Sequence, residues 1–214
     1  MMNSKKIKVL IFDLDNTIYP VSAIGEEIFA PLWKLLKEKH VDEEVIYRMK
    51  PEVMRRPFHD VAADFELERN IAEAAQQLLA ETEYAGEIQS FEGYEAIRSL
   101  PVHKYLVTTG FSRMQNSKID ALGIRGDFRE VMVIDHMAVD YGKKEVFRQI
   151  LEKEGIAPEE ALVIGDDPGS EIQAADSLGI GSAILDPSDR YTYANADFRA
   201  RSLKEILNIA AELI

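Results

Sequence analysis

Apolar and polar positions divide this chain into two regimes. In the second half, short apolar runs alternate with stretches whose apolar residues recur at helical spacing. Residues 102–108, 131–134, 161–165 and 181–185 read as strands, and residues 113–122, 143–154, 170–178 and 202–213 as the helices that come after them. Gly123, Gly155 and Gly179 each fall just past a predicted helix, where a C-terminal stop is expected. An earlier run, residues 7–14, is rich in Val, Ile, Leu and Phe and reads as a strand buried on both faces. This alternation predicts an α/β fold, a parallel sheet flanked by helices on both faces.

Residues 21–89 break that rhythm and contain no clear strand. Ile24, Ile28, Pro31, Leu32, Leu35 and Leu36 recur at helical spacing over residues 24–39. Asp42 is placed to cap a helix running through Met49, and residues 57–70 and 71–83 supply further helical material. The expectation is an all-helical insertion directly after the first strand. On this reading residues 1–19 and 90–214 form the sheet domain and residues 20–89 a helical cap domain. No internal repeat or low-complexity tract is present.

Composition narrows the chemistry. At 214 residues and 46% hydrophobic, the chain is long enough for one domain with an insertion or two small domains. The net charge of −13 and the lack of a basic stripe argue against a nucleic-acid polymer as partner. An anionic substrate would then need local cations. With no cysteine, thiolate catalysis, disulfides and Cys-ligated zinc are excluded. No signal peptide or transmembrane helix fits the pattern, so a cytoplasmic protein without membrane association is expected. The pattern does not set an oligomeric state.

In an open parallel sheet, ligands bind at the carboxyl ends of the strands, so the polar residues that close each apolar run carry the chemistry. Asp13, Asp15 and Thr17 close the first run; Thr108, Thr109 and Gly110 close the second; Asp166 and Asp167 close the fourth. Lys143 and Lys144 open the helix before that fourth strand. Asp13 and Asp15 have strand spacing, which sends both to one side, and two adjacent buried carboxylates call for a cation or a shared proton. Asp13 suits a nucleophile that attacks phosphorus. Asp15 suits the acid that protonates a leaving alcohol and then the base that activates water. Asp166 and Asp13 suit Mg²⁺, a hard ion that prefers oxygen ligands. Thr108, with backbone N–H groups near Thr109 and Gly110, suits phosphoryl oxygens, and Lys143 supplies positive charge. Singly, each has a bland alternative as a turn, helix-cap or solvated residue. Their joint occurrence at successive strand ends favours phosphoryl transfer.

The order Asp-x-Asp-x-Thr, Thr, Lys, Gly-Asp-Asp resembles the haloacid dehalogenase-like hydrolase superfamily in its phosphatase branch. The match covers about residues 5–19 and 92–214 and rests on Asp13-Leu14-Asp15-Asn16-Thr17, Thr108, Lys143 (with Lys144 as fallback) and Gly165-Asp166-Asp167. The resemblance implies a Rossmann-like core with a mobile helical cap and an Mg²⁺-dependent phosphatase mechanism. Asp13 would be nucleophile and metal ligand, Asp15 acid/base and a metal ligand through its backbone carbonyl, and Asp166 a metal ligand. Thr108, Thr109 and Lys143 would contact substrate. Where the family commonly has a second aspartate, this chain has Glu171, read as an indirect ligand or a partner for the lysine.

A small phosphorylated metabolite is the implied substrate. The run through Tyr19-Pro20 resembles the subgroup with pyrimidine 5′-nucleotidases, which makes a nucleoside monophosphate a candidate. Residues 49–67 lack the run associated with those enzymes, and Arg48, Lys50, Arg55, Arg56 and His59 are candidate cap contacts. The alternatives are a phosphomutase, a 2-haloacid dehalogenase and a non-catalytic phosphate-binding module. Asp15 favours phosphomonoester hydrolysis, because a departing halide needs no proton.

Overall fold

The structure, a computed structural model, describes residues 6–214. Six strands form one parallel sheet: β1 (Val9–Phe12), β2 (His103–Thr109), β3 (Glu130–Ile134), β4 (Ala161–Gly165), β5 (Gly181–Leu185) and β6 (Phe198–Ala200). β1 reads Val-Leu-Ile-Phe and its residues are at most 1% exposed. A strand without polar residues needs cover on both faces and partners on both edges. β1 has both, pairing with β2 on one side and β4 on the other.

Among the described residues, ten α-helices are numbered in chain order. α1 (Gly25–Ile28), α2 (Ala30–Glu38), α3 (Glu43–Val53), α4 (Phe58–Asp64) and α5 (Arg69–Glu81) lie between β1 and β2. The rest are α6 (Glu95–Ser99), α7 (Ser112–Leu122), α8 (Lys143–Glu154), α9 (Gln173–Asp176) and α10 (Leu203–Leu213). Side chains alternate across the sheet. Val9 and Ile11 pack with Val146, Phe147 and Ile150 of α8, while Leu10 and Phe12 pack with Ile119 of α7 and Ile206 of α10. The apolar cluster holding Leu10 and Phe12 continues into the insertion through Leu32, Leu36, Met49 and Leu79.

The strand order is β3-β2-β1-β4-β5-β6. The chain steps outward from β1 to β3, then returns to the far side of β1 with β4. The order therefore reverses between β1 and β4, and a crevice opens there at the carboxyl ends. The α/β expectation and the helical insertion after the first strand both hold.

Several boundaries differ from the expected ones. The helix expected over residues 24–39 is broken at Phe29 into α1 and α2. Asp42 caps α3 by accepting from the Glu44 N–H at 2.8 Å, but α3 passes Met49 and Pro51 to reach Val53. Pro51 has no N–H to give the Tyr47 carbonyl, yet the helix continues through it to Val53. Expected helix 57–70 stops at Asp64, and Glu66 takes a left-handed backbone (φ 51°) before α5. β6 and α6 were not expected. β6 is a three-residue edge strand with an arginine at its centre, so no apolar run marks it. Among the described residues, no helix is long and apolar enough to cross a membrane.

Candidate active site

β1 ends at Phe12, and the chain then turns sharply. The Ile18 N–H closes on the Leu14 carbonyl at 2.9 Å, and Asn16 adopts φ 57°. Asparagine tolerates that left-handed conformation better than most residues. Its side-chain oxygen accepts from the Val21 N–H at 3.1 Å, which fixes the exit into the insertion. This turn sends Asp13 and Asp15 to different neighbours.

Asp13 meets the cluster built by β4 and α8. Lys143 Nζ donates to Asp13 at 2.6 Å and to Glu171 at 2.7 Å, and all three side chains are buried. The other oxygen of Glu171 accepts from the N–H groups of Asp166 and Asp167, each at 2.8 Å. These bonds form because residues 168–172 make one wide helical turn that swings Glu171 back under the end of β4. Gly165 leaves the necessary space, since a Cβ there would stand 2.1 Å from Glu171. Asp13, Asp166 and Glu171 bring carboxylate oxygens within 4.8 Å of one another. Among the described residues no donor reaches the Asp166 carboxylate, which lines the cleft.

The electrostatics of this cluster arise from three acids facing one ammonium. Burial, together with Glu171 and Asp13, pushes the Asp166 carboxyl well above its ordinary value. Burial also raises Asp13, against the pull of Lys143. Burial works against the Lys143 charge too, but Asp13 and Glu171 outweigh it and hold the ammonium above its ordinary value. Glu171 is likewise penalised by burial, yet Lys143 and the backbone N–H groups bring it below. Excess negative charge on hard oxygen donors fits a divalent cation such as Mg²⁺. Asp166 and Asp13 Oδ2 are the oxygens most open to it: Asp13 Oδ2 takes only a 3.4 Å bond from the Thr17 hydroxyl, whereas Glu171 accepts three shorter bonds across both its oxygens.

Asp15, half-buried, joins a second network whose lysine and glutamine are buried. Its carboxylate accepts from Lys118 Nζ at 3.0 Å on each oxygen, from the Tyr19 hydroxyl at 2.5 Å and from the Gln115 amide at 2.9 Å. The same amide donates to the Thr108 hydroxyl at 2.7 Å. Burial raises the Asp15 carboxyl, but Lys118, Tyr19 and Gln115 outweigh it, and the group lies below its ordinary value. Thr108 is 1% exposed and accepts from Gln115, which leaves its own proton to donate into the cleft.

These side chains open into a cleft of about 1180 Å³. Asp13, Asp15, Thr108, Lys143 and Asp166 line it, together with Met54, Arg55, Arg56 and Phe58 of the insertion. A family profile for haloacid dehalogenase-like hydrolases matches residues 7–179, which span these residues.

The chain belongs to the haloacid dehalogenase-like hydrolases.

Its relatives include the glyceraldehyde 3-phosphate phosphatase of Methanopyrus kandleri, 26% identical over 97% of this chain and 98% of that one. The phosphoserine phosphatase of Thermus thermophilus is 25% identical, with 88% and 77% covered. The pyrimidine 5′-nucleotidase PynA of Streptococcus pneumoniae is 22% identical, with 94% of each covered. The structure of Bacillus subtilis YfnB, bound to magnesium, shares the fold at TM-score 0.69 and 19% identity, covering 96% of this chain and 99% of that one.

Against the expectations for this haloacid dehalogenase-like hydrolase, Asp13, Lys143 and Asp166 meet at one point. Lys143, not Lys144, reaches Asp13, and Glu171 partners the lysine. A lysine stands beside each of the two carboxylates, Lys143 at Asp13 and Lys118 at Asp15. The Asp15 carboxylate stands outside the acidic cluster. Thr109 lines the cleft, but the Gly110 N–H is directed to the Ile134 carbonyl at 3.0 Å and is not available to phosphate. Arg55 and Arg56 line the cleft, whereas Lys50 pairs with Glu26 and Arg48 lies over Phe65. His59 packs against the His136 ring.

Gln115, Lys118 and Tyr19 were missed from the sequence. A signal existed for two of them: Gln115 and Lys118 stand three apart on α7, hence on one helix face, one turn beyond the Thr108 strand end.

Proposed function

We propose that this hydrolase is an Mg²⁺-dependent phosphomonoesterase that forms an aspartyl-phosphate on Asp13 from a small phosphorylated metabolite. The observation that carries this reading is the division of partners within one turn. Asp13 faces Lys143 and the acidic cluster, while Asp15 faces Lys118, Gln115 and Tyr19. Two carboxylates in separate environments suit two separate roles.

The Asp13 carboxylate attacks phosphorus as the bond to the leaving oxygen breaks; Asp15, a carboxylate in the free enzyme, takes up a proton as the ester binds and passes it to that oxygen. Asp15, now a carboxylate, takes a proton from water as water attacks the phosphoenzyme. Asp13 is released with inorganic phosphate. Thr108 donates its hydroxyl hydrogen to a phosphoryl oxygen, and Lys143 holds Asp13 in line while offsetting phosphate charge. Thr109 shapes the same rim of the cleft. Asp13, Asp166 and the Asp15 backbone carbonyl would hold Mg²⁺, which would supply further charge neutralisation.

Residues 20–89 act as a cap on a core of residues 1–19 and 90–214. The insertion lines part of the cleft, which supports that division. The acid on Asp15 and the activities of the phosphatase relatives favour phosphate esters over haloacids. Nucleoside monophosphates are the first class to assay, on the likeness to PynA.

The test is turnover of p-nitrophenyl phosphate and a panel of nucleotides, sugar phosphates and 2-haloacids with Mg²⁺. Asp13→Asn should abolish phosphate release and leave the melting temperature near that of the unaltered protein. Full activity in that variant, or halide release in place of phosphate, overturns the reading.

A further inference from the structure

Lys118 is a buried ammonium with no part in the chemistry above. It is 2% exposed, and its three N–H donors have three acceptors: both oxygens of Asp15 at 3.0 Å and the Gln115 oxygen at 2.7 Å. An ammonium has three hydrogens, so Lys118 keeps none for a substrate. Any influence it has on turnover passes through its neighbours.

Gln115 is equally committed. Its oxygen faces the ammonium, while its amide nitrogen donates to Asp15 at 2.9 Å and to Thr108 at 2.7 Å. The chemistry of the partners fixes the amide orientation, since an ammonium demands the oxygen and a carboxylate demands the nitrogen. The pair therefore spans two strand ends, tying the Asp15 turn after β1 to Thr108 at the end of β2. With the Tyr19 hydroxyl included, each Asp15 oxygen accepts from two donors. A leaving-group oxygen enters by exchange with one donor, and the remaining three keep the carboxyl aimed.

We propose that Lys118 and Gln115 are positioning residues that hold the Asp15 carboxyl in register with Thr108 for proton transfer to the leaving group. This rests on the reading of Asp15 as the acid. Aim matters here because general acid catalysis needs hydrogen-bond reach to the departing oxygen, and its benefit grows as the leaving group becomes more basic. A substrate with an acidic leaving group departs with little help.

The experiment compares kcat/KM for 2,4-dinitrophenyl, p-nitrophenyl and phenyl phosphate across Lys118→Met, Gln115→Met, Asp15→Asn and the doubles with Asp15→Asn. Methionine matches lysine in length and packs in a buried site. The loss in Lys118→Met should be about tenfold greater on phenyl phosphate than on 2,4-dinitrophenyl phosphate. Adding Lys118→Met to Asp15→Asn should change the rate by less than about twofold, because the two act as one unit. Gln115→Met should show the same slope, and it carries the comparison if Lys118→Met does not fold. An equal loss on all three esters, or a full extra loss on top of Asp15→Asn, shows a merely structural lysine and overturns the proposal. If Asp15→Asn itself shows no leaving-group dependence, the acid assignment fails, and the positioning role fails with it.

Discussion

The Lys143 ammonium stands 2.6 Å from Asp13, although the two residues are 130 positions apart in the chain. Their side chains are 6% and 8% exposed. Removing one member of a buried pair strands the other, at a cost of about 3–5 kcal/mol. Here Lys143→Met strands Asp13 and Glu171 against each other. The variant should lose measurable phosphatase turnover, and urea denaturation of the metal-free protein should show a loss of about that size. Unchanged stability with unchanged turnover would remove Lys143 from the site.

Gly165 is required by Glu171. A Cβ at position 165 would lie 2.1 Å from the Glu171 side chain and 2.3 Å from its Oε1. That side chain cannot swing away freely, because it accepts three hydrogen bonds and is buried. Gly165→Ala should therefore cost about 1–3 kcal/mol in a thermal or urea melt. It should also weaken Mg²⁺ binding in a calorimetric titration, since the loop carrying Asp166 moves with Glu171.

The acidic cluster predicts a pH-dependent response to Mg²⁺. Burial raises Asp13 and Asp166 above their ordinary value of 3.8. A carboxyl raised on folding binds more protons folded than unfolded, so stability falls as pH rises from that ordinary value through the raised one. Asp15 and Glu171 are lowered on folding, and their stabilising contribution is lost only as pH falls below the ordinary carboxylate range. Between about pH 5.5 and pH 7.5 the raised pair governs the response, and a divalent cation relieves its repulsion. The Mg²⁺-induced increase in melting temperature should thus be larger at about pH 7.5 than at about pH 5.5. An increment that shrinks with rising pH would refute the placement of the ion on Asp13 and Asp166.

Arg55 links the insertion to the core. Its guanidinium donates to the Tyr191 hydroxyl and lies 5.7 Å from the centre of the Tyr191 ring, and both residues line the cleft. Asp186 holds the Tyr191 loop by accepting from the Tyr191 N–H at 2.8 Å. Loss of a cation–π contact of about 0.5–1 kcal/mol corresponds to a change of about two- to fivefold. Arg55→Ala should raise KM by that factor with a smaller effect on kcat, as steady-state kinetics would show. A fall in kcat at constant KM would place Arg55 in the chemical step.

The strand ends were legible in the sequence because each is an apolar run closed by a polar residue. Asp13, Thr108 and Asp166 stand at the ends of β1, β2 and β4, as that pattern expects. The helical insertion was legible from its 3.6-residue periodicity and the absence of β-type runs. Its internal breaks at Phe29 and residues 65–68 were not, since an apolar spacing continues across a bend.

Sequence alone determined the α/β class, five of the six strands, the helical insertion and which residue types close the strands, because strand and helix periodicities are local properties of the chain. Tertiary structure alone decided which cation serves which acid. Lys143 and Lys144 are adjacent, and only the rotation of α8 against the sheet buries the first on Asp13. Gln115 and Lys118 read as a polar helix face. Such a face is solvated unless the packing of α7 brings it against the sheet's carboxyl ends, and here Lys118 is buried on Asp15, 103 positions away. The net effect of a charge depends on its burial and on the partners within a few ångströms, and both are set by the assembled fold.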